Sequence, residues 1–102
     1  MYKLDYSKQF FKDIQLIQDY IALALGNPIA SQKIAKEIMD RADTLCDFPE
    51  RYPKQIVNSL VYHRMPIKNF NLFYCVDKNN LTVTIARVLY SGMDTNQVAI
   101  MN

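Results

Sequence analysis

Val61-Tyr-His-Arg-Met-Pro-Ile-Lys-Asn-Phe-Asn-Leu-Phe-Tyr-Cys-Val-Asp77, followed by Val83-Thr-Ile-Ala-Arg-Val-Leu-Tyr90, sets single arginines into strand sequence that is otherwise apolar or aromatic. Phe70, Leu72, Tyr74 and Val76 repeat every second residue, the period of a β-strand with one covered face. Strands are expected at residues 60–65, 70–76 and 81–90. Lys68-Asn69 and Lys78-Asn79-Asn80 separate them, and both turns hold residues that tolerate positive φ. Connections this short make an antiparallel meander. Arg64 and Arg87 lie inside the pattern. A guanidinium stays charged in proteins, so each needs an anion or water. For Arg87 two readings stand: an internal pair with an Asp or Glu of the helices, with Asp77 or with Asp94, or an anion site opening at the end of the strand.

Working back toward the amino terminus, Tyr2, Leu4 and Tyr6 alternate with Lys3 and Asp5 as in a short half-exposed strand. Ser7 suits a helix N-cap. Phe10, Ile14, Ile17, Ile21 and Leu25 then form a helical stripe, widened by Phe11, Leu16 and Ala24, with Lys12, Gln15, Gln18 and Asp19 facing outward. Gly26-Asn27-Pro28 supplies a left-handed stop, a cap and a first-turn proline, so a second helix follows at once. It runs to about Asp47, with Ile34, Ile38, Ala42 and Leu45 inside and Lys33, Glu37 and Arg41 spaced for i,i+4 pairing. Phe48-Pro49 disfavours more helix, and residues 49–54 read as a loop. The expectation is one α+β domain over residues 1–102: an N-terminal strand, a two-helix hairpin, then a three-stranded antiparallel meander.

The chain has 102 residues, half of them apolar, with 12 basic and 10 acidic groups for a formal net charge of +2. That total is too small to mark a nucleic-acid binder. Its distribution is uneven. Residues 1–50 hold six basic and eight acidic groups, a net of −2, and residues 51–102 hold six basic and two acidic, a net of +4. Cys46, Cys75 and a single histidine make neither a zinc site nor a disulfide framework, so no cofactor or metal is expected. Met1-Tyr-Lys-Leu-Asp-Tyr6 lacks the apolar run of a signal peptide, and no segment has the length of a membrane span. The expectation is a soluble cytoplasmic protein without a membrane partner. No serine lies in a nucleophile elbow and no glycines form a phosphate loop, which disfavours hydrolase triads and nucleotide-driven chemistry.

Lys54, His63, Arg64 and Lys68 fall close together without an acid among them, interleaved with Tyr62 and Phe70. This composition grips phosphate and stacks on bases. The bland alternative is a solvated strand edge. His63 has the chemistry of a proton-transfer group, although a lone strand histidine is more often a satisfied structural residue. Tyr74 reads as an amphipathic strand residue, and Tyr90 is open to either role.

In order along the chain, Tyr2 to Tyr6 with Ser7, Phe10-Phe11-x-Asp13, Asn27-Pro28, Leu45-x-x-Phe48-Pro49-Glu50-Arg51, Tyr62-His-Arg64, Lys68-Asn-Phe-x-Leu-Phe-Tyr74 and Arg87-Val-Leu-Tyr90 resemble the RelE/ParE superfamily of type II toxin–antitoxin toxins. The chain is closer to the ParE-like, plasmid-stabilisation branch. The resemblance implies a toxin neutralised, in a hetero-oligomer, by a cognate antitoxin whose flexible segment wraps the helical hairpin and sheet; the charge distribution adds the expectation of an acidic contact segment laid on the basic sheet half or added to an exposed edge. ParE-like members poison DNA gyrase and are not enzymes; RelE-like members cut messenger RNA on the ribosome. For cleavage the matching positions are Arg64, Arg87 and Tyr90, the last standing where many members have histidine. Anion or target binding falls to Lys54, His63, Arg64, Lys68 and Arg87. Where RelE-like members place an arginine-bearing turn, this chain has Ser91-Gly-Met-Asp94. The resemblance therefore favours a gyrase inhibitor. The alternatives are a messenger RNA endoribonuclease and an inactive antitoxin-binding member.

Overall fold

Ser7 ends the first strand and begins the first helix, and its hydroxyl works in both directions. It accepts a hydrogen bond from the Phe10 amide at 3.0 Å, as an N-cap must, and donates to the Ala86 carbonyl at 2.6 Å, across 79 positions of sequence. In the computed structural model, which describes residues 1–92, the strand before Ser7 is β1 (Lys3–Tyr6) and the helix after it is α1 (Lys8–Asp19). Then come α2 (Pro28–Asp43), β2 (Lys54–Val57), β3 (Leu60–Ile67), β4 (Phe70–Asp77) and β5 (Thr82–Tyr90). Replacing Ser7 with alanine removes a cap and leaves the Ala86 carbonyl without its donor. Urea unfolding should show a loss of about 2 kcal/mol.

The helical hairpin forms for the local reasons expected. After α1 the chain makes a π-helical turn at Tyr20–Ala24, and Gly26 takes φ +64°, the left-handed stop. The Asn27 side chain accepts from the Ala30 amide at 3.0 Å, and Pro28 opens α2. Ser31 ties the two helices together, its hydroxyl donating to the Gln18 carbonyl at 2.9 Å. Past α2 a single 3₁₀ turn, Thr44–Cys46, carries the helical segment to its expected end near Asp47. Glu37 finds its cation outside the hairpin: Lys68 lies 3.3 Å away.

The five strands form one sheet in the order β1-β5-β4-β3-β2. β1 runs parallel to β5, with Leu4 opposite Val83 and Tyr6 opposite Ile85, and every other pairing is antiparallel. The α+β class and the order of elements agree with expectation. One strand is added: residues 54–57 pair with β3, so four strands follow the helices where three were expected. Both helices cover one face of the sheet. Phe10, Ile14, Ile34, Ile38 and Leu45 pack there on Met65, Ile67, Leu72, Tyr74, Val83, Ile85 and Val88. On the other face Val57, Tyr62, Phe73, Ala86 and Leu89 make a second buried cluster. Among the described residues no helix is long and apolar enough to cross a membrane.

The apolar stripe of the first helix is buried only over its first half. Phe10 and Ile14 are core, whereas Leu16, Tyr20 and Leu25 are each at least 60 % exposed. β1 stops at Tyr6, so among the described residues no strand flanks β5 on that side beyond Ile85. α1 runs past the part of the sheet that β1 covers, and among the described residues Leu16, Tyr20 and Leu25 stay exposed there.

Candidate functional site

Where β1 leaves off, side chains of α1 take over the edge of β5. A bulge prepares the exchange. Tyr74 pairs with Ile85 and Phe73 with Arg87, so Ala86 is the extra residue, and its carbonyl is the one that Ser7 satisfies. Without the bulge, Arg87 would fall opposite Leu72, in the helix-side core. With it, Arg87 joins the row of Phe73, and Phe73 in turn faces Arg64 on β3. The two strand arginines thus stand in one row across three strands, roughly 10 Å apart at the backbone.

They meet different surroundings. Arg87 is 6 % exposed and its guanidinium is held in a fork by Asp13 of α1, Nε to Oδ2 at 2.7 Å and Nη2 to Oδ1 at 2.9 Å. Asp13 Oδ2 also accepts from the Val88 amide at 3.2 Å, taking the place of the missing strand's carbonyl. The internal-pair reading of Arg87 therefore holds, its partner being an acid of the helices rather than Asp77. Asp77 caps the β4–β5 turn, accepting from the amides of Asn79 and Asn80 and from the Asn80 side chain, and these bonds lower its pKa. Asp94 lies outside the described residues. Asp13 carried a signal in the sequence, since it stands three residues after Phe10 on the inward stripe, where a carboxylate requires a partner.

The other expected site residues separate. Arg64 is exposed, its amide donates to the Pro53 carbonyl, and its side chain forms no ion pair among the described residues. His63 is buried: Nδ1 lies 2.8 Å from the Tyr52 carbonyl, which only accepts, so Nδ1 carries the proton. Its ring stacks on Tyr74 at 5.1 Å, and the Tyr74 hydroxyl donates to the Pro49 carbonyl. These two rings strap residues 49–52 onto the sheet. Burial, ahead of every other influence, raises the Tyr74 pKa and keeps the phenol neutral. Lys68 is held by Glu37, whereas Lys54 is exposed on the edge strand. Tyr90 is exposed at the end of β5, edge-on to Phe70 at 5.9 Å, and lines the same cavity as Arg87. Among the described residues no group of three His, Cys, Asp or Glu side chains is placed to hold a metal ion.

The Asp13–Arg87 pair and Gln9 form the polar end of a cavity of about 740 Å³ between α1 and the bare edge of β5. Apart from Asn69 the rest of its wall is apolar, with Leu16, Ile17, Tyr20, Ile21 and Leu25 on one side and Phe70, Val88, Leu89 and Tyr90 on the other. A trough with this lining suits a polypeptide segment with an apolar face.

Known proteins share this architecture. Residues 4–95 match the family described as the ParE toxin of the type II toxin–antitoxin system parDE. No curated protein sequence matches the chain. Among solved structures, the chromosomal ParDE toxin–antitoxin system from P. aeruginosa superposes with a TM-score of 0.73 at 15 % identity, covering 88 % of this chain and 96 % of that one. The RelBE2 toxin–antitoxin complex from Mycobacterium tuberculosis gives 0.67 at 16 % identity, over 87 % and 96 %. The archaeal RelE–RelB complex from Pyrococcus horikoshii OT3 gives 0.63 at 18 %, over 91 % and 98 %. With the family match running from β1 to beyond β5, the chain belongs to the ParE toxins of type II toxin–antitoxin systems, within the RelE/ParE superfamily.

Proposed function

We propose that this toxin acts in the cytoplasm by inhibiting DNA gyrase through protein contact, and that a cognate antitoxin neutralises it. The observation that carries the reading is the Asp13–Arg87 fork. Cleaving a phosphodiester requires several cationic or proton-donating groups converging on one phosphate. Arg64 and Arg87 stand in the right row for that, but Arg87 is buried and its Nε and Nη2 are given to a carboxylate. His63 faces the helix-side core, and Tyr90, which lines the same cavity as Arg87, stands edge-on to Phe70 at the end of β5. Arg64 is left as the one exposed cation of the row, which supports binding over messenger RNA cleavage.

The antitoxin segment is assigned to the trough between α1 and β5. Leu16, Tyr20, Leu25 and Tyr90 are more exposed there than large apolar side chains lining one cavity ordinarily are, and burying them stabilises a complex by roughly 25 cal/mol per Å² before the entropy of ordering is set against it. This placement puts the antitoxin on an apolar groove instead of the basic sheet that the charge distribution favours.

Purified toxin added to gyrase should inhibit supercoiling or trap cleaved DNA, and addition of the antitoxin should reverse the effect. Unchanged supercoiling at a large molar excess of toxin would overturn the reading. New codon-positioned messenger RNA ends on induction, mapped by primer extension, would favour the ribonuclease instead.

A further inference from the structure

The hairpin of β2 and β3 stands at the sheet edge opposite β1, and its exposed side chains are of the wrong kind for a free edge. Val57 pairs with Leu60, so the loop is the two residues Asn58 and Ser59, both at positive φ (50° and 69°), the geometry of a type I′ turn. No glycine relieves either position. Such a turn fixes the twist and register of the two strands, so the tip is presented rigidly. On it Ile56 and Val61 are direct cross-strand partners, 71 % and 49 % exposed, and Leu60 beside the turn is 52 % exposed. Free sheet edges are ordinarily blunted by charge, proline or cover, because exposed β-branched residues there invite association. Here the apolar pair lies open.

Charge flanks it on both faces of this edge. Lys54 shares the face of Ile56 and Val61, two residues along β2, whereas Arg64, in the row of Phe73, stands on the opposite face of the same hairpin. Arg51 lies over the Tyr52 ring at 5.4 Å. Elsewhere in the same half of the chain lysines are neutralised, Lys68 by Glu37 and Lys78 by Glu50. Arg51, Lys54 and Arg64 form no ion pair among the described residues. An apolar centre with an unpaired cationic rim complements an apolar protein surface rimmed by carboxylates.

We infer that the β2–β3 hairpin is the surface with which the toxin engages its target protein, Ile56 and Val61 entering an apolar site and Arg51, Lys54 and Arg64 meeting acidic residues around it. This rests on the gyrase reading for the identity of the target and is independent of the antitoxin trough, which lies at the other edge of the sheet.

The test uses two variants of the full chain: Ile56→Lys with Val61→Lys, and Arg51→Glu with Arg64→Glu. Each should bind antitoxin as wild type does, which shows that it folds. Each should need at least about ten-fold more toxin to inhibit supercoiling, and each should lose growth arrest on induction. Wild-type inhibition and arrest by both variants would overturn the inference. So would lysine substitutions that preserve or strengthen inhibition while only the glutamates abolish it, because the surface would then be reading a polyanion such as DNA. If wild-type toxin arrests growth but spares gyrase, the gyrase reading fails and the growth assay still decides the hairpin: loss of arrest supports it, arrest retained overturns it. A wild-type chain that does neither overturns both.

Discussion

Asp13→Ala should lower the unfolding free energy by about 3–5 kcal/mol, the largest effect expected of any single exposed-to-buried contact in this protein. The carboxylate is 4 % exposed and accepts from Arg87 Nε, Arg87 Nη2 and the Val88 amide at once. Its removal takes two hydrogen bonds from a buried guanidinium and one from a backbone N–H together, beside the point where β1 has ended. A paired change isolates the two parts. Asp13→Leu with Arg87→Met removes both charges, and since buried ion pairs contribute little beyond an apolar pair of the same volume, it should recover most of the loss. What remains, about 1–3 kcal/mol, is the share of the unsatisfied Val88 amide. Urea unfolding of the two variants measures both quantities. A single substitution that costs under 1 kcal/mol would show that the fork is not the anchor described.

The second large effect is on binding. Leu16→Asp or Tyr20→Asp places a carboxylate in the apolar wall of the trough at a position where the free toxin is solvated, 66 % and 61 % exposed respectively. The free protein should therefore unfold at its usual midpoint, while antitoxin affinity falls roughly 30- to 1000-fold, the range of a central interface anchor. Titration calorimetry of toxin against antitoxin reads it directly, and gyrase inhibition by these variants should no longer be reversed by equimolar antitoxin. Affinity unchanged by both substitutions would move the antitoxin off this groove.

Local signals in the sequence translated well into local structure. Ser7 caps α1, Gly26-Asn27-Pro28 turns the hairpin, and Lys68 adopts φ 53° between two strands, each because the relevant physics is complete within four residues. β2 escaped because Lys54-Gln-Ile-Val57 is four residues long, follows a proline, and ends in an Asn-Ser turn with no glycine to announce it. The site depended on longer distances. Alternation along β5 cannot reveal the extra residue at Ala86, and so cannot say whether Arg87 shares a row with Arg64 or points into the helix-side core. Asp13 and Arg87 are 74 positions apart; the inward stripe of α1 marks Asp13 as a carboxylate needing a partner, but many cations were available to it. Leu16 and Leu25 fit an apolar helix face, and the early end of β1 explains why no other described residue covers them.

The hydroxyl of Ser7 reaching the Ala86 carbonyl has a bearing on the order in which this protein comes into being. Strand β1 and the first turns of α1 take their partners from the final strand, so while the chain is being synthesised the beginning must wait for the end. Contacts of such separation form late and slowly. A nascent toxin remains unassembled until residues 82–90 have left the ribosome, and the trough proposed for the antitoxin, walled by α1 and β5, is completed only then.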